Sequence, residues 1–500
     1  MSPRPLAVLL LALLACSGGG GEDALAPDPA CRELRWGGPT ETAGTSLVLV
    51  LNDTMRRDRT GIYGGAASTP AFDTFAAENL WFANAFTQSP WTKPAVATLF
   101  TGLFPSQHGV ASDPHVRSPG AERGEAAILE ADVLAPGFVT LAERLRAAGY
   151  RTAAFVSNPW MERRFGFAQG FDVYDDSFAR WDTPGETVTR AGLAWLEGVE
   201  PGQPFFLYLH TMDSHHPYPE LVLEELLESR ELAEDPDLPD RARRMIASLV
   251  RIEGGRSAVQ AGVPVSRTIL DMAYDKGMER FDRVLAELLA ALEASPAAAH
   301  AAWIVTSDHG EALFAHGYGS HGRGLYDDEV AIPLAARLPG VEANALPISC
   351  LVGLIDLVPT LCTYLGLACE EPGFGVSLLD AGSEPAPRYL VTEGVGKHPK
   401  HRALRNRRYK LVWEPDGRPD GQRPENPYSL YDVVADPGEE RDLLAEEPRS
   451  RQATRAFAAL APLLPGAVPG FDAPAKSTAP LDEDARQRLR ELGYLEDGER

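Results

Sequence analysis

Four short apolar runs separated by helical patterns predict an α/β fold built largely on parallel strands. The runs are Ser46–Leu51, Thr152–Ser157, Phe205–His210 and Ala302–Ser307. Each is rich in β-branched and aromatic residues, as strands buried on both faces are. Between them, Leu141–Ala148 follows Thr140, an N-cap residue type, and stops at Gly149. Further on, Tyr274, Met278, Phe281, Leu285, Leu288 and Leu292 recur at helical spacing and mark one buried face. Strands alternating with helices imply a sheet covered on both sides.

Composition narrows the classes. The 500 residues suit a large α/β core with a small appendage. Lys plus Arg number 47 and Asp plus Glu 71, a net charge of −24. That balance argues against a nucleic-acid binder, which needs a basic footprint, and against polybasic membrane docking. At the N-terminus Arg4 precedes an apolar run, Leu6–Ala15, that is too short to span a bilayer. It reads as a secretory signal. Leu13-Leu14-Ala15-Cys16 resembles a bacterial lipobox, which implies lipidation at Cys16. Residues 1–16 are therefore expected to be a lipoprotein signal and 17–44 a tether. The expected location is the bacterial cell envelope, exported, with the lipid as the only membrane attachment and the body facing the periplasm or the surface. Export permits disulfides, and Cys362–Cys369 is the closest pair; free buried thiols are the alternative.

Residues 220–265 are rich in Glu and Arg and read as a helical insertion within a catalytic domain spanning 45–370. Residues 371–500 read as a C-terminal subdomain and tail. Within it Tyr409–Trp413 and Tyr428–Val433 are expected to form a hairpin, Arg402–Lys410 a solvated face, and Asp482–Tyr494 an amphipathic helix.

Polar residues follow each strand at once: Asn52-Asp53-Thr54, Asn158, Asp213-Ser214-His215-His216, and Asp308-His309-Gly310-Glu311. In open α/β sheets ligands bind beyond the carboxyl ends of strands, so the four clusters point to one site. Asp53, Asp308 and His309 offer a hard, mostly oxygen ligand set for one divalent ion. Thr92 opens a helix whose first turn contains Pro94. Its hydroxyl would lie at the positive dipole end, where tetrahedral anions bind. A hydroxyl on a divalent ion loses its proton more readily and becomes a nucleophile.

These segments resemble the sulfatases of the alkaline-phosphatase superfamily. The resemblance is carried by Asp53-Thr54-Met55-Arg56-Arg57-Asp58 with Gly61-Ile62-Tyr63-Gly64, and by Trp91-Thr92-Lys93-Pro94 through Thr101-Gly102-Leu103-Phe104-Pro105. Gly149-Tyr150-Arg151-Thr152, His210-Thr211-Met212-Asp213-Ser214-His215, Thr306-Ser307-Asp308-His309-Gly310-Glu311 and His321-Gly322 come after them in family order. It implies an alkaline-phosphatase-like sandwich with a mixed, mostly parallel sheet and a small C-terminal α+β subdomain.

Departures from the family pattern direct the chemistry. Formylglycine sulfatases resemble Cys-x-Pro-x-Arg at the nucleophile. Here Thr92 and Val96 occupy the first and last positions, and a Thr cannot become formylglycine. Ser157 and Pro159 stand where a Lys and a His would hold sulfate, and Asn158 offers a neutral donor. The pattern is closer to superfamily members with a Thr nucleophile, which transfer phosphoryl groups. The expectation is phospho(di)ester hydrolysis or phosphoryl transfer with Thr92 as metal-bound nucleophile. A sulfuric ester hydrolase without formylglycine and a non-catalytic surface binding protein are the alternatives. The expected cofactor is one or two divalent ions (Mn, Zn or Ca) per chain. His215 and His321 would assist the leaving group or hold a second ion, with Asp213, His216, Asn158 and Lys93 as further ligands of that ion or of the substrate. The expected substrate is a small-molecule, glycan or lipid ester.

Overall fold

The computed structural model describes residues 34–487, apart from 40–41, 112–114, 118–127, 181–182, 225–234, 237, 344–345, 370–374, 380–388, 397, 399, 447–448, 465–476 and 485. The expected signal, the expected lipobox and Cys16 lie outside the described residues, as does most of the expected tail helix. Among the described residues no helix is long and apolar enough to cross a membrane.

An eight-stranded sheet forms the centre. In chain order its strands are β1 (Leu47–Asn52), β2 (Leu80–Phe86), β3 (Arg151–Val156), β4 (Val173–Asp175), β5 (Phe205–Thr211), β6 (Ala302–Thr306), β7 (Leu334–Arg337) and β8 (Ile348–Gly353). Their spatial order is β8-β2-β7-β6-β1-β5-β3-β4. The run β6-β1-β5-β3-β4 is parallel throughout. Only β7 runs antiparallel to both its neighbours, so the sheet is mixed and mostly parallel, as expected.

Alternation along β1 explains the sandwich. Leu47, Leu49 and Leu51 face one core, while Val48 and Val50 face the other. The first core is covered by helices α2 (Thr92–Thr101), α3 (Leu141–Ala147) and α8 (Leu357–Leu365); the second by α1 (Pro70–Glu78), α4 (Gly185–Leu196) and α6 (Arg267–Ala294). Helix α3 starts where its capping box predicts: Thr140 Oγ1 accepts from Glu143 N, and the Glu143 carboxylate accepts from Thr140 N. All six apolar residues read at helical spacing, from Tyr274 to Leu292, are buried along α6. Full burial of each contributes about 1.5–3 kcal/mol.

The insertion contains α5 (Asp240–Leu249) and a two-stranded ribbon, Arg251–Ile252 with Arg256–Ser257. Leu34–Trp36, within the expected tether, pairs instead with Val341–Ala343. Cys362 and Cys369 form a disulfide, and Cys350 is a buried thiol.

The expected hairpin is half of a larger sheet. Strands β9 (Leu390–Glu393), β10 (Arg402–Arg405), β11 (Tyr409–Trp413) and β12 (Tyr428–Asp432) form an antiparallel meander, with α9 (Arg451–Leu460) packed on it. The basic stretch is not a solvated face throughout. Arg405 and Lys410 are buried, because both pair with Asp327 of the short helix α7 (Asp327–Val330) in the catalytic body.

Candidate active site

Strand ends deliver the site. Asp53 follows β1, Asn158 lies just past β3, His210 is the penultimate residue of β5, and Asp308-His309 lie just past β6. Because β6, β1, β5 and β3 are parallel neighbours, their carboxyl ends converge on one edge of the sheet. Thr92 is the first residue of α2 and is buried beside them.

Asp53 divides its two oxygens. Oδ2 accepts from His210 Nε2 (3.2 Å), Asn158 Nδ2 (2.5 Å) and Thr92 Oγ1 (3.4 Å). Oδ1 has no hydrogen-bond partner among the described residues, nor has Asp308 Oδ2. His309 Nδ1–H donates to Gly310 O (2.8 Å), so Nε2 presents its lone pair to the cluster. Nε2 lies 3.1 Å from Thr92 Oγ1, 3.4 Å from Asp308 Oδ2 and 3.8 Å from Asp53 Oδ1. One ligand atom each from Asp53, Asp308 and His309 fall within 4.8 Å of one another.

The electrostatics call for a cation. Burial pushes Asp53 up, but the His210 hydrogen bond and the charges of His215 and His309 outweigh it and hold Asp53 below the ordinary carboxylate range. Burial and the Asp53 charge push Asp308 up. Two fully buried carboxylates this close cannot both ionise cheaply without a positive partner. Two buried, orphaned carboxylate oxygens beside an imidazole lone pair fit a hard divalent ion.

Local backbone supports the cluster. Thr54 holds a left-handed conformation (φ 59°), which aims its N–H at Asp308 Oδ1 (3.3 Å). The loop is pinned by Tyr274, whose hydroxyl accepts from Arg56 N (2.8 Å) and donates to Thr54 O (2.6 Å). A Thr at positive φ persists only where its surroundings over-determine it.

Two histidines stand over the cluster. The His321 ring lies 4.5 Å from that of His309 and 5.2 Å from that of His215. His321 Nδ1 bonds Glu311 Oε2 (3.1 Å). Burial and the neighbouring His309 hold His321 well below the ordinary imidazole range. Burial lowers His215 to about 4. His216 stacks on His215 (4.3 Å) and is half-buried.

Two expected ligands lie outside the metal-ligand cluster. Asp213 Oδ1 accepts from Arg280 Nε (2.7 Å) and Gly185 N (3.2 Å), while its buried Oδ2 has no hydrogen-bond partner among the described residues. Lys93 meets neither solvent nor the cluster. It is buried, with Nζ 4.0 Å from the Phe165 ring centroid and 5.0 Å from that of Trp160. Burial lowers it to about 7. Adjacency to Thr92 misleads, because consecutive residues in a helix point about 100° apart.

The sequence assigned no role to His210, and to Glu311 none beyond its place in the polar cluster after β6. A polar residue ending the otherwise apolar run FFLYLH was the available signal for His210. Tyr208 Oη donates to its Nδ1 (3.0 Å), which leaves the proton on Nε2 for Asp53.

The sulfatase family model matches residues 45–367. The chain is 22% identical over 445 residues to the Delta 4,5-hexuronate-2-O-sulfatase of Bacteroides thetaiotaomicron, covering 81% of this chain and 85% of that one. To arylsulfatase K of Bos taurus it is 23% identical over 452 residues, with 81% and 79% covered. The solved phosphonate monoester hydrolase of Agrobacterium radiobacter aligns with a TM-score of 0.61 at 20% identity, covering 84% of this chain and 95% of that one. The match spans most of the chain and takes in every strand of the central sheet, and the protein therefore belongs to the sulfatase family and is an ester-bond hydrolase.

Proposed function

We propose that this hydrolase cleaves phosphodiesters or related phosphoryl and phosphonyl esters, with Thr92 as nucleophile. The observation that carries the reading is the Thr92 hydroxyl at the start of α2, within 3.4 Å of Asp53 and 3.1 Å of His309. Among the described residues, the groups touching that hydroxyl include no Lys or Arg of the kind that grips a sulfate. The positions expected to supply such cations are Ser157, whose Oγ donates to His210 O (3.0 Å), and Pro159.

A divalent ion, Mn, Zn or Ca, would be held by Asp53 Oδ1, Asp308 Oδ2 and His309 Nε2. When bound, it supplies charge neutralisation on the ester oxygens and eases ionisation of the adjacent hydroxyl. The Thr92 proton leaves to solvent, and Oγ1 attacks phosphorus in line with the leaving oxygen. Asn158 Nδ2, 3.4 Å from Oγ1, is placed to donate to a nonbridging oxygen. As the ester bond breaks, His321 passes a proton to the leaving oxygen. The low affinity of its buried imidazole for a proton rises when an anionic ester binds beside it. Water then attacks phosphorus, cleaves the bond to Thr92 Oγ1 and restores the hydroxyl.

Sulfate ester hydrolysis is the second reading, supported by the sulfatases among the relatives. Against it, a sulfated Thr lacks the elimination route that a hydrated aldehyde provides. The test is a matched panel of nitrophenyl sulfate, phosphate monoester, phosphodiester and phosphonate, each with Mn²⁺, Zn²⁺, Ca²⁺ or chelator. Metal-dependent cleavage of the diester or phosphonate is expected. Preferential sulfate cleavage overturns the phosphoryl reading, and no cleavage of any ester with bound metal counts against both.

A further inference from the structure

We infer that Glu329, on the short helix α7, is a positioning residue for His321. Its carboxylate holds the backbone just after His321, while the main chain of the same helix holds Glu311, the residue that orients the ring. The inference rests on the proposed role of His321 as proton donor to the leaving group.

His321 sits in a tightly wound segment. Ser320 (φ 67°) and Gly322 (φ 77°) flank it in left-handed conformations. A non-glycine residue there is disfavoured, so outside contacts must hold the turn. Glu329 provides them. Its carboxylate is buried; Oε2 accepts from Arg323 N (3.2 Å), and Oε1 accepts from Gly324 N (2.9 Å) and from the Tyr318 hydroxyl. The fit around this carboxylate is close: a Cβ on Gly324 would lie 1.8 Å from Tyr318 Oη and 2.7 Å from Glu329 Oε1.

The same helix holds the other end of the loop. Glu329 O accepts from Gly310 N (2.8 Å), and Asp328 O accepts from Glu311 N (3.0 Å). Glu311 is the residue whose Oε2 bonds His321 Nδ1. One turn of helix thus fixes both the backbone beside His321 and the partner of its ring. Groups that orient a catalytic side chain in this way typically matter about 10- to 100-fold.

The C-terminal sheet anchors that turn. Asp327 takes Lys410 Nζ (2.7 Å) and Arg405 Nη1 (2.8 Å), and its N–H donates to Glu439 Oε2 (2.5 Å). Tyr318 and Tyr326 pack with Ala403, Val412 and Tyr431 of the sheet in one apolar cluster. His321 is therefore set, through Glu329, from a subdomain that contributes no group to the cluster described above.

The experiment is a leaving-group series. Aryl phosphodiesters with phenols of rising pKa are turned over by wild type, H321A, E329Q and the double variant. E329Q should slow phenyl esters about 10- to 100-fold but dinitrophenyl esters less than about threefold, because their departure needs no proton. KM should hardly move, and E329Q added to H321A should cost nothing further. Y318F removes one bond to the carboxylate and leaves the backbone donors; it should show a smaller loss with the same leaving-group dependence, and it decides the matter if E329Q fails to fold. A loss equal for all leaving groups, or one that adds to that of H321A, overturns the positioning role. If H321A itself has no leaving-group dependence, the proton-donor reading falls and this inference with it.

Discussion

Asp53 Oδ2 takes three hydrogen bonds while Oδ1 takes none, and this asymmetry aims one oxygen at the centre of the cluster. Thr92→Ala should keep its fold and lose at least about 10³-fold in kcat, as removal of a nucleophile does; near-normal turnover of that variant contradicts the mechanism. Asn158→Ala removes a donor to both Asp53 and Thr92 and should cost about 10²-fold in kcat, with a smaller change in KM. Metal analysis should find close to one ion per chain, since Asp53, Asp308 and His309 form the metal-ligand cluster found among the described residues; a ratio near two requires a second site at the histidines. The proximity of Asp53, Thr92, Asp308 and His309 was legible in the sequence, because each ends a strand or starts a helix at one sheet edge. The orientations of Lys93 and Asp213 were not, because partners distant in sequence decide where a long side chain turns. For Lys93 these are Trp160 and Phe165; for Asp213, Arg280.

At the scale of elements, α2 depends on the loop at its C-terminal end. His108 Nδ1 accepts from Val110 N (3.2 Å), and Nε2 bonds Thr98 Oγ1 (3.2 Å), tying that loop back to α2. Burial lowers His108 from 6.5 to about 3. As pH falls the unfolded chain takes up this proton first. The stability contributed by the neutral imidazole is therefore full above about pH 6.5 and is lost between there and about pH 3. His108→Gln should flatten the acid limb of a melting-temperature profile relative to wild type; parallel profiles for the two proteins would exclude this role. The four parallel strands and the two amphipathic helices were legible because their burial is written as apolar periodicity. Strands β9 and β10 escaped notice because Glu393, Arg402 and Arg405 interrupt that pattern. Two of those charges are satisfied deep inside the fold. Glu393 accepts from Ser106 N (2.7 Å) and Ser106 Oγ (2.8 Å) just beyond α2, and Arg405 pairs with Asp327.

Across the whole molecule, the C-terminal sheet and the catalytic body share a buried ion cluster and an apolar contact. Asp327 of the body faces Arg405 and Lys410 of the sheet, with Arg57 at 3.9 Å and Glu439 on Lys410 (2.8 Å). Burial pushes Asp327 up, but the charges of Arg405 and Lys410 outweigh it and hold the carboxyl below the ordinary carboxylate range. Removing one partner of such a cluster leaves buried charge uncompensated, so Asp327→Ala should destabilise by about 3–5 kcal/mol. Denaturant unfolding should report one cooperative transition in wild type; a separate early transition for the C-terminal sheet would contradict this coupling. The most direct test of Thr92 as nucleophile is mass spectrometry of enzyme quenched in acid while turning over a nitrophenyl phosphodiester. A phosphoryl ester on the peptide containing Thr92, absent from Thr92→Ala, is the predicted result. An adduct on another residue, or full turnover by Thr92→Ala with no adduct at all, would contradict it.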